Sequence, residues 1–499
     1  MTQADIIIVG AGHNGLVAGA CLAKAGRKVL VLERRDVAGG QLRGRDPDGP
    51  GLHASAHLRP DIVRALGLAR HGLPTARADA AYVAPLEGGG ELRLSSAAGD
   101  AATIESIRRL SPRDAERWPE FVRFMNAAAG FLDATYGTAM PRLPRVDWRR
   151  DGLPLAALAL KLRRLGGKDM FRVMRSLSMS AIEFTEEWFE SEPLKAAIGA
   201  LAVHNVTLGS MSAGGGLVLI HHWLNRGGLA HRPVPGGTGA VADALVAALR
   251  AHGGELRTAA PVAQILVDRQ RVTGVRLAGG EEIRASTVIS AADPRHTLLD
   301  LVGAPELPPE FVWHTQSIRM RGSVAKVHLN TDGRHGLPEG TLVIAPTLKY
   351  LERAYDAAKY GQLSEQPYLE VTTAGPTVSI HYQFAPYHLR GGEWPGTRAT
   401  LETRAIETLA RHYPALAGSV QSLHAITPAD LEQTWGLTEG DLNHGQMILD
   451  QVLFMRPMPG WSDHRTPVDG LLLCGSGVHG GGGISGAAGR NAARRLLGS

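Results

Sequence analysis

The sequence predicts an α/β fold. A parallel, helix-covered sheet is joined to a second, discontinuous α+β domain. Three observations carry this. An apolar run near residue 5 leads into a glycine turn and a helix. Another apolar run near residue 471 leads into a longer glycine turn and a helix. Between them, short strand-like segments alternate with long helical stretches. Glycine links the first two observations. It makes up 61 of 499 residues, with no G-X-Y period, and clusters at 10–15, 39–40 and 475–489.

The first unit is complete as a βαβ fingerprint. Asp5-Ile6-Ile7-Ile8-Val9 reads as a buried parallel strand, and Gly10-Ala11-Gly12-His13-Asn14-Gly15 follows at once. Residues 16–25 read as a helix ended by Gly26. Val29-Leu30-Val31-Leu32 is the second strand, closed by Glu33. Gly10 makes the tight turn, Gly12 lets backbone approach a pyrophosphate, and Gly15 lets helix and strand pack closely. The helix N-terminus offers free N–H groups to phosphate. Glu33 stands where a carboxylate accepts from ribose hydroxyls.

Further along, Gly236-Gly237-Thr238-Gly239 precedes a helix at 240–252. Strand-like segments follow at 255–257, 262–267, 272–277 and 287–290, reading as short strands and a β-meander. Leu471-Leu472-Leu473-Cys474 is a buried strand, then a glycine loop to Gly486, then a helix of small residues. A flat aromatic cofactor ring needs such a loop, because it must lie against backbone.

With both ends in view, the chain resembles the phytoene desaturase-like and carotenoid isomerase-like FAD oxidoreductases. More narrowly, it is similar to the pyridine nucleotide-disulfide oxidoreductase domain 2-like branch. The matching stretches include Val9-Gly10-Ala11-Gly12-His13-Asn14-Gly15-Leu16-Val17-Ala18, Leu32-Glu33-Arg34-Arg35-Asp36-Val37 and Leu58-Arg59-Pro60. Others are Thr427-Pro428-Ala429-Asp430-Leu431-Glu432, Asn443-His444-Gly445, Arg456-Pro457 and the glycine-rich C-terminus. The resemblance implies a Rossmann-type FAD-binding domain of the glutathione reductase-like kind, formed by 1–75, 236–295 and 426–499. It implies a substrate domain with a helical cap, formed by 76–235 and 296–425. It assigns FAD contacts to Gly10, Gly12, His13, Asn14, Gly15, Glu33, Arg34, Gly39, Gly40, Gln41 and Arg43. Val262 and Ala291 are added from the middle, and Gly475, Ser476, His479, Gly483, Ile484 and Ser485 from the C-terminal loop. Two departures stand near the expected flavin. The family's Gly-Gly-Ala-Ala-x-Thr is here Gly39-Gly40-Gln41-Leu42-Arg43-Gly44, and Gly480 replaces the proline after His479.

The expected activity is FAD-dependent removal of hydride from a C–H bond of an apolar organic substrate. The flavin is then reoxidised by O₂ or a quinone. A redox-neutral flavin isomerase, an amine oxidase and a non-catalytic flavoprotein are the alternatives. No second GxGxxG unit is present for a dedicated NAD(P)H domain. His57, in Gly51-Leu52-His53-Ala54-Ser55-Ala56-His57, is the candidate catalytic residue, with His53 behind it. Tyr382 is the candidate from the sheet. In Val378-Ser379-Ile380-His381-Tyr382-Gln383-Phe384 one face is apolar and the other polar. The sequence does not say which face meets the flavin. Segments 321–330, 340–346 and 377–386 read as strands of one sheet. His204, His221 and His222 line a pocket or sit in a core. No acid or cysteine completes a metal set with them, so no metal is expected.

Composition bounds the rest. The chain is 44% hydrophobic and 20% charged, which excludes disorder. A formal net charge of +5 over this length does not call for nucleic acid. Two cysteines, Cys21 and Cys474, provide no disulfide framework. The first residues lack a basic-plus-apolar leader, and no run reaches ~18 apolar residues. A cytoplasmic protein, or one held peripherally at a membrane, is expected. Residues 142–175 carry ten Arg/Lys against three Asp within an amphipathic pattern. They are read either as a membrane-surface or lid helix or as an ordinary solvated helix over the substrate domain.

Overall fold

The computed structural model describes residues 4–45, 51–75, 81–142 and 144–498. A five-stranded parallel sheet has the spatial order Leu471–Leu473, Thr287–Ser290, Ile6–Val9, Val29–Leu32, Glu255–Arg257. Its strands read as continuous apolar runs because both faces are covered. Ile6, Ile8, Val29 and Val31 point to one face, where helices His13–Lys24, Gly239–Ala251 and Ala487–Leu497 pack. Ile7, Val9, Leu30 and Leu32 point to the other, against Ile265, Val275 and Ile283. Those three belong to an antiparallel meander, Val262–Asp268, Arg271–Leu277 and Glu282–Arg284. Segment 287–290 leaves the meander and pairs with Ile6–Val9, so Ser290 ends beside Val9.

The second sheet has seven strands, ordered Val420–Ile426, Val324–Thr331, Thr377–Gln383, Leu369–Ala374, Thr341–Ile344, Tyr82–Pro85, Glu91–Leu94. The segments expected at 321–330, 340–346 and 377–386 lie in this one sheet. Strand alternation gives it two unlike faces. Ala325, Val327, Leu369, Val371, Ile380 and Tyr382 form an apolar core under helix Trp394–Ala410. Lys326, Glu370 and His381 lie on the opposite face, register partners across three strands. Helices Pro112–Gly137, Glu192–Val203 and Gly215–Arg226 belong to a cap whose own core holds Trp118, Phe121, Phe184, Trp188 and Trp223. Aromatic pairs such as Phe121–Phe189, 4.9 Å apart and edge-on, lock that core.

Candidate active site

A cleft of about 410 Å³ opens at the C-terminal ends of Ile6–Val9 and Val29–Leu32. Open α/β sheets bind ligands in this position. Of the expected cofactor residues, Gly10, Gly12, His13, Asn14, Glu33, Arg34, Gly40, Gln41, Val262, Ala291 and Ser476 line it. Helix His13–Lys24 starts at Gly12 with no side-chain cap and no acid in its first turn. Its free N–H groups therefore face the cleft, a fit for a diphosphate. A Cβ at Gly12 would meet nothing within 4 Å, so the space in front of it is open. Buried Glu33 accepts hydrogen bonds from the N–H of Ala11 (2.8 Å) and of Arg35 (3.0 Å), which fixes its carboxylate beside the turn. His444 lines the cleft with Nδ1 buried and unpartnered. Open backbone donors, a fixed acid and an orphaned ring nitrogen suit a dinucleotide cofactor.

The remaining expected residues build the cleft from behind. A Cβ at Gly15 would collide with the Gly10 carbonyl. Gly39, at φ 131°, donates from its N–H to Ala11 O (2.9 Å) and bridges Gly12, joining the two glycine loops. Arg43 turns away to pair with Asp243 on helix Gly239–Ala251. Gly475 packs on the carbonyls of Ala291 and Ala292. The His479 Nε2–H donates to Thr135 O of the cap (3.0 Å), and its ring faces Tyr136. The carbonyl of Gly483 accepts from His13 Nε2–H (3.2 Å), tying the last loop to the first. Ile484 is buried in the helix-side core, and Ser485 O accepts from the Arg59 N–H.

Cleft residues that sequence reasoning missed include Arg35, Ala292, Trp435, Thr438 and His444. Arg35 stacks over Trp435 at 5.4 Å. Buried Arg456 organises the neighbouring loops, donating to the carbonyls of Asn443, Gly445, Gln446, Gln451 and Ser476. Burial pulls its pKa down to about 10, against the opposing pull of Asp441.

Separate hydrogen-bonded chains stand at the cleft edge and in the substrate domain. His53 Nε2–H donates to Gln41 Oε1 (2.8 Å), while Gln41 Nε2 donates to Leu442 O (3.0 Å). Burial lowers the pKa of His53, and the nearby charge of Lys326 adds to it. Lys326 is itself buried. Its ammonium donates to His381 Nδ1 (2.9 Å), its only hydrogen bond among the described residues. His381 Nε2–H donates to Gln383 Oε1 (2.8 Å), and Gln383 Nε2 donates to Val206 O (2.7 Å). Desolvation lowers the Lys326 pKa to about 8, which Glu370 only partly offsets.

Beside this chain, Arg226 grips both oxygens of Glu370 at 2.8 and 3.0 Å. His231 Nε2–H donates to Glu370 Oε1 (2.7 Å), and Ser55 Oγ–H donates to His231 Nδ1 (2.9 Å). Burial opposes ionisation of Glu370, but Arg226 and His231 outweigh it and hold the carboxyl well below its usual range. His204 stacks on His381 with centroids 4.0 Å apart, its Nδ1 3.5 Å from Glu370. This corrects the expectation that no acid joins the histidines of the cap. His204, His231 and Glu370 converge within a metal-ligating distance. Arg226 already occupies both carboxylate oxygens and Lys326 adds positive charge, so the electrostatics oppose a dication. His221 and His222 diverge. His221 receives the Tyr136 hydroxyl at Nδ1 and donates to Gly482 O, whereas His222 donates to His204 O, all at 2.8 Å.

Of the two named catalytic candidates, the structure brings neither into the cleft lining. His57 lies on the loop that carries His53 and Ser55. Its pKa is lowered by burial and by Arg232, against Asp133. Tyr382 is fully buried on the apolar face, under helix Trp394–Ala410. The polar face, with Lys326, His381 and Glu370, is the one whose charge reaches His53, the partner of Gln41. The signal in the sequence was a lone charge inside an alternating strand, as in Ala325-Lys326-Val327 and Leu369-Glu370-Val371.

Comparison with known proteins agrees with this geometry. Residues 15–497 match the flavin containing amine oxidoreductase family. The chain is 34% identical to pyridine nucleotide-disulfide oxidoreductase domain-containing protein 2 of Rattus norvegicus, over 98% of this chain and 92% of that one. It is 26% identical to a phytoene desaturase (lycopene-forming) of Pseudescherichia vulneris, over 96% of each. Among solved structures, an oxidoreductase from Methanosarcina mazei superposes with a TM-score of 0.62 at 17% identity, covering 99% of this chain and 100% of that chain. The turn at Gly10–Gly15, the acid at Glu33 and the closing C-terminal loop thus belong to a member of the flavin containing amine oxidoreductase family, an FAD-dependent oxidoreductase.

Proposed function

We propose that the protein dehydrogenates an apolar organic substrate, taking hydride from one carbon and a proton from its neighbour to leave a C=C bond. The observation that carries this reading is Lys326, a buried amine held by His381, whose charge is felt by His53, the hydrogen-bond partner of cleft residue Gln41. FAD, when bound, supplies the hydride acceptor, and O₂ or a quinone takes the electrons afterwards. Gly10, Gly12 and Glu33 would hold its diphosphate and ribose. Val262 would flank its adenine, and Gly40, Gln41 and Ser476 lie toward the rest of it.

The protein's own part is positioning and proton handling. The chain Lys326–His381–Gln383–Val206 points the amine by fixing each donor in turn. With a pKa near 8, Lys326 is partly neutral at physiological pH and can accept a proton at Nζ. Gln41 and His53 orient the cleft edge. The phytoene desaturase relative supports the apolar substrate class.

Anaerobic addition of an allylic hydrocarbon or terpenoid to the purified flavoprotein tests this. Substrate should bleach the flavin absorbance, air should restore it, and the product should carry one more C=C bond. Turnover only with pre-reduced flavin, and a product isomeric with the substrate, would replace dehydrogenation by isomerisation.

A further inference from the structure

Helices Trp148–Arg163 and Gly166–Ser176 carry a concentration of exposed apolar and basic side chains. Of the eleven large apolar side chains exposed among the described residues, five lie here: Trp148 (73% exposed), Leu153 (82%), Leu160 (48%), Phe171 (67%) and Met174 (55%). Single exposed apolar residues need no explanation, but a cluster does. The first helix packs inward through half-buried Leu155, Leu158 and Leu162 and through buried Asp151, which pairs with Arg150. Its opposite face carries Arg149, Leu153, Leu160 and Arg164, spaced four, seven and four residues apart, so they stand on one stripe. Exposed Lys161 and Arg163 flank that stripe. Arg149, Lys161, Arg163 and Arg164 form no ion pair among the described residues. On the second helix, Lys168, Phe171, Met174 and Arg175 are exposed, with Lys168 paired to Glu120 and Arg175 to Glu187.

We propose that this face docks on an anionic lipid bilayer. Leucine and aromatic side chains enter the headgroup boundary while the ring of unpaired arginines and lysines meets acidic headgroups. Charge selects the occupant: Lys168, Arg172 and Arg175 are paired by Glu120, Asp169 and Glu187, but Arg149, Lys161, Arg163 and Arg164 on the first helix have no acidic partner among the described residues. The helices lie on the surface without crossing it: no described helix is long and apolar enough to span. This inference does not rest on the assigned reaction.

The test is sedimentation of the flavin-loaded protein with phosphatidylcholine vesicles, with and without phosphatidylserine. The wild type should partition at least about tenfold more strongly onto the phosphatidylserine vesicles and come off in high salt. The pair Leu153→Asp/Leu160→Asp and the set Arg149→Glu/Arg163→Glu/Arg164→Glu should each cut binding about tenfold or more and keep the flavin spectrum. Trp148 emission should shift to the blue on binding, a shift that Trp148→Phe removes. Wild type remaining in the supernatant at low salt overturns the proposal, and so do variants that bind like wild type. A dimer on size exclusion that Leu153→Asp/Leu160→Asp dissolves, without vesicle binding, would make the face a self-interface.

Discussion

Around the first glycine turn the cofactor cleft is walled by backbone. Gly10, Gly12 and Gly40 present main chain, and where a side chain matters, as at Glu33, it is held by the backbone N–H groups of Ala11 and Arg35. In the substrate domain, the polar face of the seven-stranded sheet carries buried charge instead. Lys326, Glu370, Arg226 and four histidines come from strands and helices far apart in sequence, and each holds its neighbour in place. The backbone wall can bind one cofactor shape under many sequences. The charged face depends on each side chain, because removing one member leaves another buried without a partner.

The sharpest way to break this contrast is Glu370→Gln. It strands Arg226 beside His231 and Lys326, and should destabilise the protein by about 3–5 kcal/mol, read from the denaturant midpoint. A loss under ~1 kcal/mol would mean the network is not held by its charges. Next is Lys326→Met, which should keep the flavin and lower kcat by roughly 10²–10⁴. Wild-type kcat/KM should rise with pH and level off above about 8, because the neutral amine is the active form, and the variant should lack this limb. If His57→Ala loses turnover while Lys326→Met does not, the proton role returns to His57.

On the cofactor side, Gly12→Ala should leave the apoprotein's stability within ~0.5 kcal/mol, because φ is −71° and the space ahead is open. FAD affinity should fall by about tenfold or more, measured by flavin release on dilution. Gly15→Ala should cost both binding and stability, because the Gly10 carbonyl must move. The smallest effect is expected for Tyr382→Phe. It removes a long hydrogen bond to Ser364 O (3.5 Å) on the apolar face and should change stability by less than ~1 kcal/mol with turnover intact. A large loss of turnover there would move the reaction to the other face of the sheet.

The contrast also explains what the sequence disclosed. The glycine turn, its helix and Glu33 are neighbours in the chain, so spacing alone located them. The C-terminal loop was legible through its apolar strand and small-residue helix. Arg43 and His479 were placed near the flavin by their loops, yet side-chain direction sends one to Asp243 and the other to Thr135 O. Lys326, Glu370 and His231 are separated by tens of residues and meet only through strand register and a cap helix. No local pattern encodes that meeting. His57 was chosen by its loop, and the structure shows its loop neighbours His53 and Ser55 making the network contacts instead.

The bond between His13 and Gly483 joins points 470 residues apart. Strand Leu471–Leu473 completes the parallel sheet beside Thr287–Ser290, and Gly489 lets the last helix rest on Asn14. During synthesis the first glycine turn leaves the ribosome long before these partners exist. Until they arrive, strand Thr287–Ser290 is an open edge with unpaired N–H and C=O groups. A chain stopped before residue 471 would therefore present that unpaired edge to solvent, an aggregation hazard as well as an incomplete cleft.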